Sequence, residues 1–349
     1  MADTKRARNS ESPPSKWFRV LSLSISCIAF ALVVFRADDV WQSLNIIGVS
    51  YVTTFFIFVS LLLLGHFVFS LLSHMLRTRK DETINKANWY RAYWSRFPFA
   101  DNACALVAFV ATSTCFSANK VKVIGTEGFQ YDDLFIQWDR VLFLGRAPWE
   151  LTHRLLPTAA LTKWIDLLYH PLFIPMVVGY ILCFSTRARA DLRYTYMLTY
   201  LASFVIIGMM MATTLSSAGP VFYGDLVGDE AVFAPLLDRL DLQSEAAGPF
   251  TSILARNYLL ALHLNGEARF FGGISAMPSM HIALAYMWAF AAWQINRPLG
   301  VVVHVYAAVI WIGSVHLGWH YFVDGLVSLI VLTVIWRILG RAMGLYQKP

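Results

Sequence analysis

The stretch 316–325, HLGWHYFVDG, places a histidine and an aspartate four residues apart, at His320 and Asp324. Residues with this spacing share one face of a helix, with Cβ atoms about 5 to 6 Å apart. A carboxylate there can hold one ring nitrogen protonated and leave the other free as a nucleophile or base. Of the nine histidines in the chain, only His320 has an aspartate four residues later. A structural pair between packed helices is the alternative interpretation.

A second stretch, 272–281 (GGISAMPSMH), runs from a glycine pair directly into an apolar segment. Pro278 suits the first turn of a helix, and Ser279 is suited to cap that helix or to bind an anion. The backbone N–H groups at a helix N-terminus attract phosphate. His281 lies about one turn further on, where an imidazole can give a proton to a departing alkoxide. This stretch therefore predicts a phosphate site with a general acid beside it.

The elements that must position these groups are membrane helices. The chain of 349 residues is 57% hydrophobic and only 14% charged, with a mean hydropathy of +0.54, whereas soluble proteins carry about 25% charged residues. This composition excludes a soluble globular enzyme, a disordered chain, a collagen-like repeat and a coiled coil. The net charge of +6 comes from basic residues in short loops, which indicates an anionic membrane surface rather than nucleic acid.

Runs of about 20 mostly apolar residues predict transmembrane helices. Eight such runs occur, at roughly 20–35, 50–75, 98–117, 164–185, 195–216, 279–296, 299–317 and 320–340. The predicted fold is therefore an all-α polytopic membrane bundle of about eight transmembrane helices, of which the last six form a catalytic core. The predicted divisions are a tail at 1–19, two accessory helices with a basic loop at 20–97, the core at 98–342 and a second tail at 343–349.

Loop charges predict the orientation of these spans. With the N-terminus inside, the inner segments carry 18 Lys and Arg, and the much longer outer segments carry 10. This bias satisfies the positive-inside rule, so both termini are expected in the cytoplasm of a multi-pass plasma or inner membrane protein. His281 and His320 then emerge together on the extracytoplasmic side, beside the long outer segments 118–163 and 217–278.

Neither a metal nor a cofactor is expected. The four cysteines, Cys27, Cys104, Cys115 and Cys183, form no C-x-x-C pair, so neither a zinc site nor a disulfide framework is indicated. The outer loops contain no acidic cluster of the kind that binds magnesium.

The two histidine motifs together resemble a known family. P-S-M-H followed some forty residues later by H-L-G-W-H-Y-F-V-D-G resembles the second and third signature motifs of the type 2 phosphatidic acid phosphatase superfamily. The resemblance covers roughly 130–340 and is greatest to the branch of the inositol phosphorylceramide synthases and their bacterial relatives, similar also to sphingomyelin synthases. The stretch 138–148, WDRVLFLGRAP, and the Gly219-Pro220 turn resemble further landmarks of that branch.

This resemblance implies a function and roles for the site residues. His320 would be the nucleophile that takes the phosphoryl group, Asp324 its orienting carboxylate, His281 the general acid and Ser279 a phosphate ligand. The implied substrate is a membrane lipid phosphate of phospholipid, polyprenyl or sphingolipid type. Water or an acceptor alcohol would then clear the phosphohistidine, which gives a phosphatase or an inositolphosphotransferase-like enzyme without a cofactor.

One departure from the family pattern concerns phosphate binding. The phosphatase branch has a K-x6-R-P motif and an arginine six residues before the nucleophile. In this chain the only Arg-Pro is Arg297-Pro298, and Phe290 stands where that motif has its lysine. Residue 314, six before His320, is Ser rather than arginine. This loss favours the phosphotransferase-like branch. The outer-side cations that could replace the missing ones are Arg154, Lys163, Arg256 and Arg269.

Several alternatives stay open at the level of the sequence. His316, His320 and Asp324 could form a ladder if the helix extended that far back, although Gly318 argues against it. Asp166 and His170 could line the cavity or pin a kinked helix through a hydrogen bond. A lipid transporter or flippase could use the same histidines for proton coupling, and a non-catalytic relative could act as a membrane scaffold.

Overall fold

The computed structural model describes residues 13–35, 41, 44–45, 47–49, 99–122, 124, 128–170, 189–267, 269 and 272–346. All regular secondary structure in these residues is helical, which confirms the all-α prediction. The predicted second span, the basic loop that follows it and most of the fourth span lie outside the described residues.

The chain forms long helices in its first and last parts and short ones between them. The α-helices of eight residues or more in the described residues are α1 (Pro13–Val34), α2 (Phe99–Lys122), α3 (Asp132–Leu142), α4 (Pro148–Leu155), α5 (Ala159–Tyr169), α6 (Ala190–Ser203), α7 (Ala234–Ala247), α8 (Thr251–Leu264), α9 (Met280–Ile295), α10 (Arg297–His316) and α11 (Phe322–Ala342). Helix α6 continues through a π-helical stretch, Phe204–Met211, into Ala212–Thr214. Short helical turns follow at Pro220–Phe222, Tyr223–Leu226 and Glu230–Val232.

Five helices in the described part are long and apolar enough to cross a bilayer: Pro14–Val34, Ala100–Lys122, Ala190–Thr214, Arg297–His316 and Phe322–Ala342. They correspond to the first, third, fifth, seventh and eighth predicted spans, with ends shifted by several residues. The predicted sixth span is present as α9, a helix of only 16 residues. The protein is therefore a helical membrane bundle.

Two apolar cores hold the bundle together. The first lies between α1, α2, α6, α9 and α11 and is lined by aromatic and aliphatic side chains such as Tyr196, Leu198 and Trp336. The second lies on the other face of α9 and α10 and includes Phe135, Leu236 and Tyr321. Because α9 contributes to both cores, its N-terminal end is fixed from two sides, and this end carries His281.

Helices α3 and α4 are amphipathic and lie within the outer segment 118–163. Helix α3 buries Asp132, Phe135 and Asp139, residues whose spacing of three and four places them on one face. Its other face exposes Trp138 at 44% of its surface, and Leu144 in the following turn is 94% exposed. Exposed apolar side chains beside buried carboxylates suit a helix that lies at a membrane surface.

Candidate active site

The His320 imidazole and the Asp324 carboxylate form a buried pair. Their Nδ1 and Oδ2 atoms are 3.1 Å apart, and the two residues are 6% and 0% exposed. The expectation that both lie on one helix is wrong, because α11 begins only at Phe322. Asp324 lies in the first turn of α11 and its side chain folds back, so that Oδ2 also accepts the backbone N–H of Tyr321 at 3.0 Å. The pair is therefore made by the capping of a helix.

The second histidine stretch forms the start of α9. Ser279 is the N-cap of this helix and is fully buried, and its Oγ accepts the backbone N–H of Ile282 at 3.4 Å. Pro278 precedes the cap, so the expectation that it lies in the first helical turn is wrong. The His281 side chain projects from the first turn of α9, where its ring stacks on that of Tyr169.

The two histidines meet at one end of the bundle. The ring centroids of His281 and His320 are 6.1 Å apart, and the ring planes are inclined by 58°. The two imidazoles, which come from stretches far apart in the sequence, are therefore neighbours in the folded chain.

A buried carboxylate of α3 holds the turn opposite these histidines. Asp132 accepts the backbone N–H groups of Ala218 and Gly219 at 2.9 and 2.8 Å. It also accepts the hydroxyls of Ser217 and Tyr321, both at 2.9 Å. The Asp132 carboxylate thus links the turn at 217–219 to the residue that follows His320.

A second carboxylate of α3 holds the start of α11. Asp139 accepts the backbone N–H groups of Phe322 and Val323 at 2.9 and 3.0 Å. Burial raises the pKa of Asp139 to about 7 and outweighs the opposite effect of these two N–H donors. Since the first N–H groups of a helix have no partner within it, Asp139 satisfies two of them and fixes α11 directly behind His320.

His316 does not belong to a ladder with His320, because α10 ends at His316 and Gly318 adopts φ +76°. The His316 ring instead stacks on that of His153, with centroids 3.8 Å apart. Its Nε2 lies 2.9 Å from Oγ1 of Thr162. Burial lowers the pKa of His153 to about 4, so this residue is neutral at physiological pH. The stacked pair anchors the C-terminal end of α10.

Asp166 and His170, at the C-terminal end of α5, make hydrogen bonds with a structural role. Asp166 is fully buried and accepts the backbone N–H groups of Thr251 and Ser252 at 2.8 and 2.9 Å. The Nδ1 atom of His170 lies 2.9 Å from the carbonyl oxygen of Asp166. Asp166 therefore fixes the start of α8 against α5.

The four outer-side cations named from the sequence are engaged or exposed elsewhere. Lys163 donates to the carbonyl oxygen of Pro249, Arg256 pairs with Asp241, and Arg269 pairs with Glu267. Arg154 is exposed on α4. In contrast, Lys120 at the end of α2 lies against the loop that leads to His281, because a Cβ atom at Gly273 would be 2.8 Å from the Lys120 carbonyl.

Two residues near the histidines were missed in the sequence, Lys120 and Tyr169. Lys120 is at the C-terminal end of α2. The sequence could have indicated it, because it follows an apolar run and has no acidic residue one helical turn away. Tyr169 ends α5 and stacks on His281 with ring centroids 5.3 Å apart. No local pattern marks Tyr169, because its contact with His281 joins two helices that are distant in the sequence.

A pocket opens beside His320 on the side of the amphipathic helices. Its lining includes Arg140, Trp149 and Glu150 as well as His320 and Tyr321. Within the described ranges, no group of three or more His, Cys, Asp or Glu side chains is arranged to hold a metal ion. The groups that His281, His320 and Asp324 bring to this end of the bundle are imidazoles and a carboxylate, which are suited to nucleophilic and acid–base chemistry.

Comparison with known proteins identifies the family of the chain. The sequence model of the PAP2 superfamily matches residues 133–338, which contain His281, His320 and Asp324 and make up more than half of the chain. Neither a curated protein nor a solved structure matches the chain. The protein therefore belongs to the PAP2 superfamily, the type 2 phosphatidic acid phosphatases, and is a membrane enzyme of the lipid phosphatase and phosphotransferase type.

Proposed function

We propose that the protein transfers the phosphoryl group of a membrane lipid through a phosphohistidine at His320. The observation that carries this proposal is the convergence of three side chains: His281 and His320 with ring centroids 6.1 Å apart, and Asp324 at 3.1 Å from Nδ1 of His320. The Asp324 carboxylate holds the proton on Nδ1, so the lone pair for attack resides on Nε2.

The reaction has two displacements at phosphorus. In the first, Nε2 of His320 forms a bond to phosphorus while the bond to the lipid's leaving oxygen breaks, and His281 gives that oxygen its proton. In the second, His281 takes a proton from water or an acceptor alcohol, whose oxygen attacks phosphorus while the P–N bond breaks. The Ser279 hydroxyl donates a hydrogen bond to a phosphate oxygen. It can do so while Oγ accepts the N–H of Ile282, because a hydroxyl group both donates and accepts.

We also propose the kind of acceptor and the side of the membrane on which the site opens. The absence of the K-x6-R-P motif and of an arginine at position 314 favours an inositolphosphotransferase-like transfer to an acceptor alcohol over simple hydrolysis. The donor is a phospholipid or a polyprenyl or sphingolipid-type phosphate. The distribution of Lys and Arg supports cytoplasmic termini and a site that opens to the extracytoplasmic face.

Trapping the intermediate tests this function. Purified full-length protein is incubated with a panel of lipids labelled at phosphorus, and the label on histidine is measured before and after addition of inositol, glycerol or water. Label should be found on His320, and the effective acceptor should discharge it. His281→Ala should slow both labelling and discharge, because the leaving oxygen and the acceptor lose their proton carrier.

His320→Ala separates this function from its rivals. In a phosphotransferase the variant loses phosphate release and head-group transfer completely. In a flippase it changes only the movement of lipid across vesicles, and in a scaffold it changes neither. Normal head-group transfer by His320→Ala would therefore refute the proposal.

A further inference from the structure

The site needs a positive charge for the phosphate, and the chain lacks the basic residues that the phosphatase branch uses. Lys120 has the right surroundings. It is partly buried at the end of α2, and no carboxylate in the described part of the chain pairs with it. A lysine held near apolar surroundings without a counter-ion favours an anionic ligand.

The backbone places Lys120 beside the loop that leads to His281. Gly273 adopts φ +85°, and a Cβ atom there would lie 2.8 Å from the carbonyl carbon and oxygen of Lys120. The segment that leads from Gly273 into α9 therefore packs against the end of α2. Lys120 thus lies beside the loop that carries Ser279 and His281.

Tyr169 provides an independent observation beside His281. It is 4% exposed, and its ring stacks on that of His281 with centroids 5.3 Å apart. Its Oη atom is fully buried and has no hydrogen-bond partner among the described residues. Buried hydroxyls are normally hydrogen-bonded, so a donor left unpaired at this place indicates a ligand oxygen.

We infer that Lys120 Nζ and Tyr169 Oη bind the non-bridging oxygens of a phosphate group held between His281 and His320. This inference rests on the proposed function and names its phosphate subsite. The ligand class is a phosphate monoester or inorganic phosphate, the two forms that share a dianionic head. Lys120 supplies the charge and Tyr169 supplies an oriented neutral donor, which together replace the basic residues missing from the family pattern.

Binding of inorganic phosphate tests the subsite without turnover. Titration calorimetry on the detergent-purified full-length protein gives the Kd for inorganic phosphate. Lys120→Met should weaken binding by about 10- to 100-fold, because a charge-assisted hydrogen bond is lost. Tyr169→Phe should weaken it by about 3- to 10-fold, and Lys120→Arg should retain most of it. Lys122→Met is the matched control on the same helix and should bind as the wild type does.

Two results overturn the inference: unchanged phosphate affinity in both Lys120→Met and Tyr169→Phe, or no phosphate binding by the wild type. If Lys120→Met does not fold, the isosteric Tyr169→Phe and the charge-conserving Lys120→Arg decide the question. Turnover of a lipid phosphate in mixed micelles distinguishes the lipid head group from free phosphate as the ligand, and kcat/KM should fall by about 100-fold in Lys120→Met.

These outcomes separate the subsite from the proposed function. Loss of phosphate binding in Lys120→Met together with full activity of His320→Ala supports the subsite and refutes the phosphohistidine. The opposite outcome is loss of activity in His320→Ala with unchanged phosphate binding and turnover in Lys120→Met and Tyr169→Phe. It supports the phosphohistidine and refutes the subsite.

Discussion

The Oδ2 atom of Asp324 lies 3.1 Å from Nδ1 of His320 and also accepts the backbone N–H of Tyr321 at 3.0 Å. One carboxylate oxygen thus orients the imidazole and caps the helix that follows it. The two roles are coupled, because the turn that Asp324 caps at the start of α11 directly follows His320. A change at Asp324 should therefore affect both catalysis and the start of this helix.

Asp324→Asn tests the orienting role. The amide keeps the size of the side chain but cannot hold the Nδ1 proton as a carboxylate does, so the wrong tautomer of His320 becomes accessible. We expect kcat for lipid phosphate turnover to fall by about 10²- to 10⁴-fold with little change in KM. Asp238→Asn, an exposed aspartate on α7, is the control and should be fully active. A normal kcat in Asp324→Asn would mean that His320 does not need this partner.

Asp139→Ala tests whether α3 fixes the start of α11. The substitution leaves the N–H groups of Phe322 and Val323 without their acceptor, which should cost about 1 to 3 kcal/mol of unfolding free energy. Because these residues follow His320, phosphoryl transfer should also decrease. Gln137→Ala on the exposed face of the same helix should leave both stability and rate unchanged. Equal stability of the two variants would show that the contact is dispensable.

His153 predicts a pH dependence of stability. Burial lowers the pKa of His153 to about 4 in the folded protein, whereas an unfolded histidine has a pKa of about 6.5. Between these values the unfolded chain binds a proton that the folded chain does not, so stability is lost as pH falls through this window. The contribution is about 1.4 kcal/mol per pH unit.

The comparison of wild type with His153→Phe isolates this contribution. Phenylalanine keeps an aromatic ring against His316 but does not titrate, so thermal unfolding of the variant should depend less on pH between about 4 and 6.5. Identical pH profiles for the two proteins would show that folding does not lower the pKa of His153.

The sequence predicts those parts of the site whose chemistry is local. His320 and Asp324 are close in the chain, and the alternation of spans brings His281 to the same end of the bundle, in agreement with the 6.1 Å between the two rings. The all-α class follows from composition together with the apolar runs of about 20 residues. The orientation in the membrane and the roles of the individual residues stay predictions.

Contacts between distant elements could not be predicted in this way. Asp139 is 183 residues from the backbone N–H of Phe322 that it accepts, and no periodicity in the sequence links the two. Lys120 reaches Gly273, and Tyr169 reaches His281, from helices that are far away in the sequence. The ladder through His316 failed for a local reason, since Gly318 at φ +76° ends the helix and turns the chain.

Substitution of Gly219 tests how closely its own turn must pack against the loops that contain Ala276 and Trp319. Gly219 adopts φ +87°, and a Cβ atom there would lie 2.9 Å from both the Ala276 Cβ and the Trp319 carbonyl oxygen. These two neighbours flank the histidine stretches, so Gly219→Ala should push the loops apart and lower phosphoryl transfer. Gly248 adopts almost the same backbone conformation, φ +85°, with nothing within 4 Å of its Cβ position.

Gly248→Ala is therefore a matched control that carries the backbone strain without the steric clash. It should cost about 1 to 2 kcal/mol in unfolding free energy and leave kcat/KM unchanged. Gly219→Ala should cost about 1 to 3 kcal/mol more, because the added methyl group overpacks the contact between the loops. If the two variants lost equal stability and both kept full activity, close contact between the 217–219 turn and the histidine loops would not be needed for turnover.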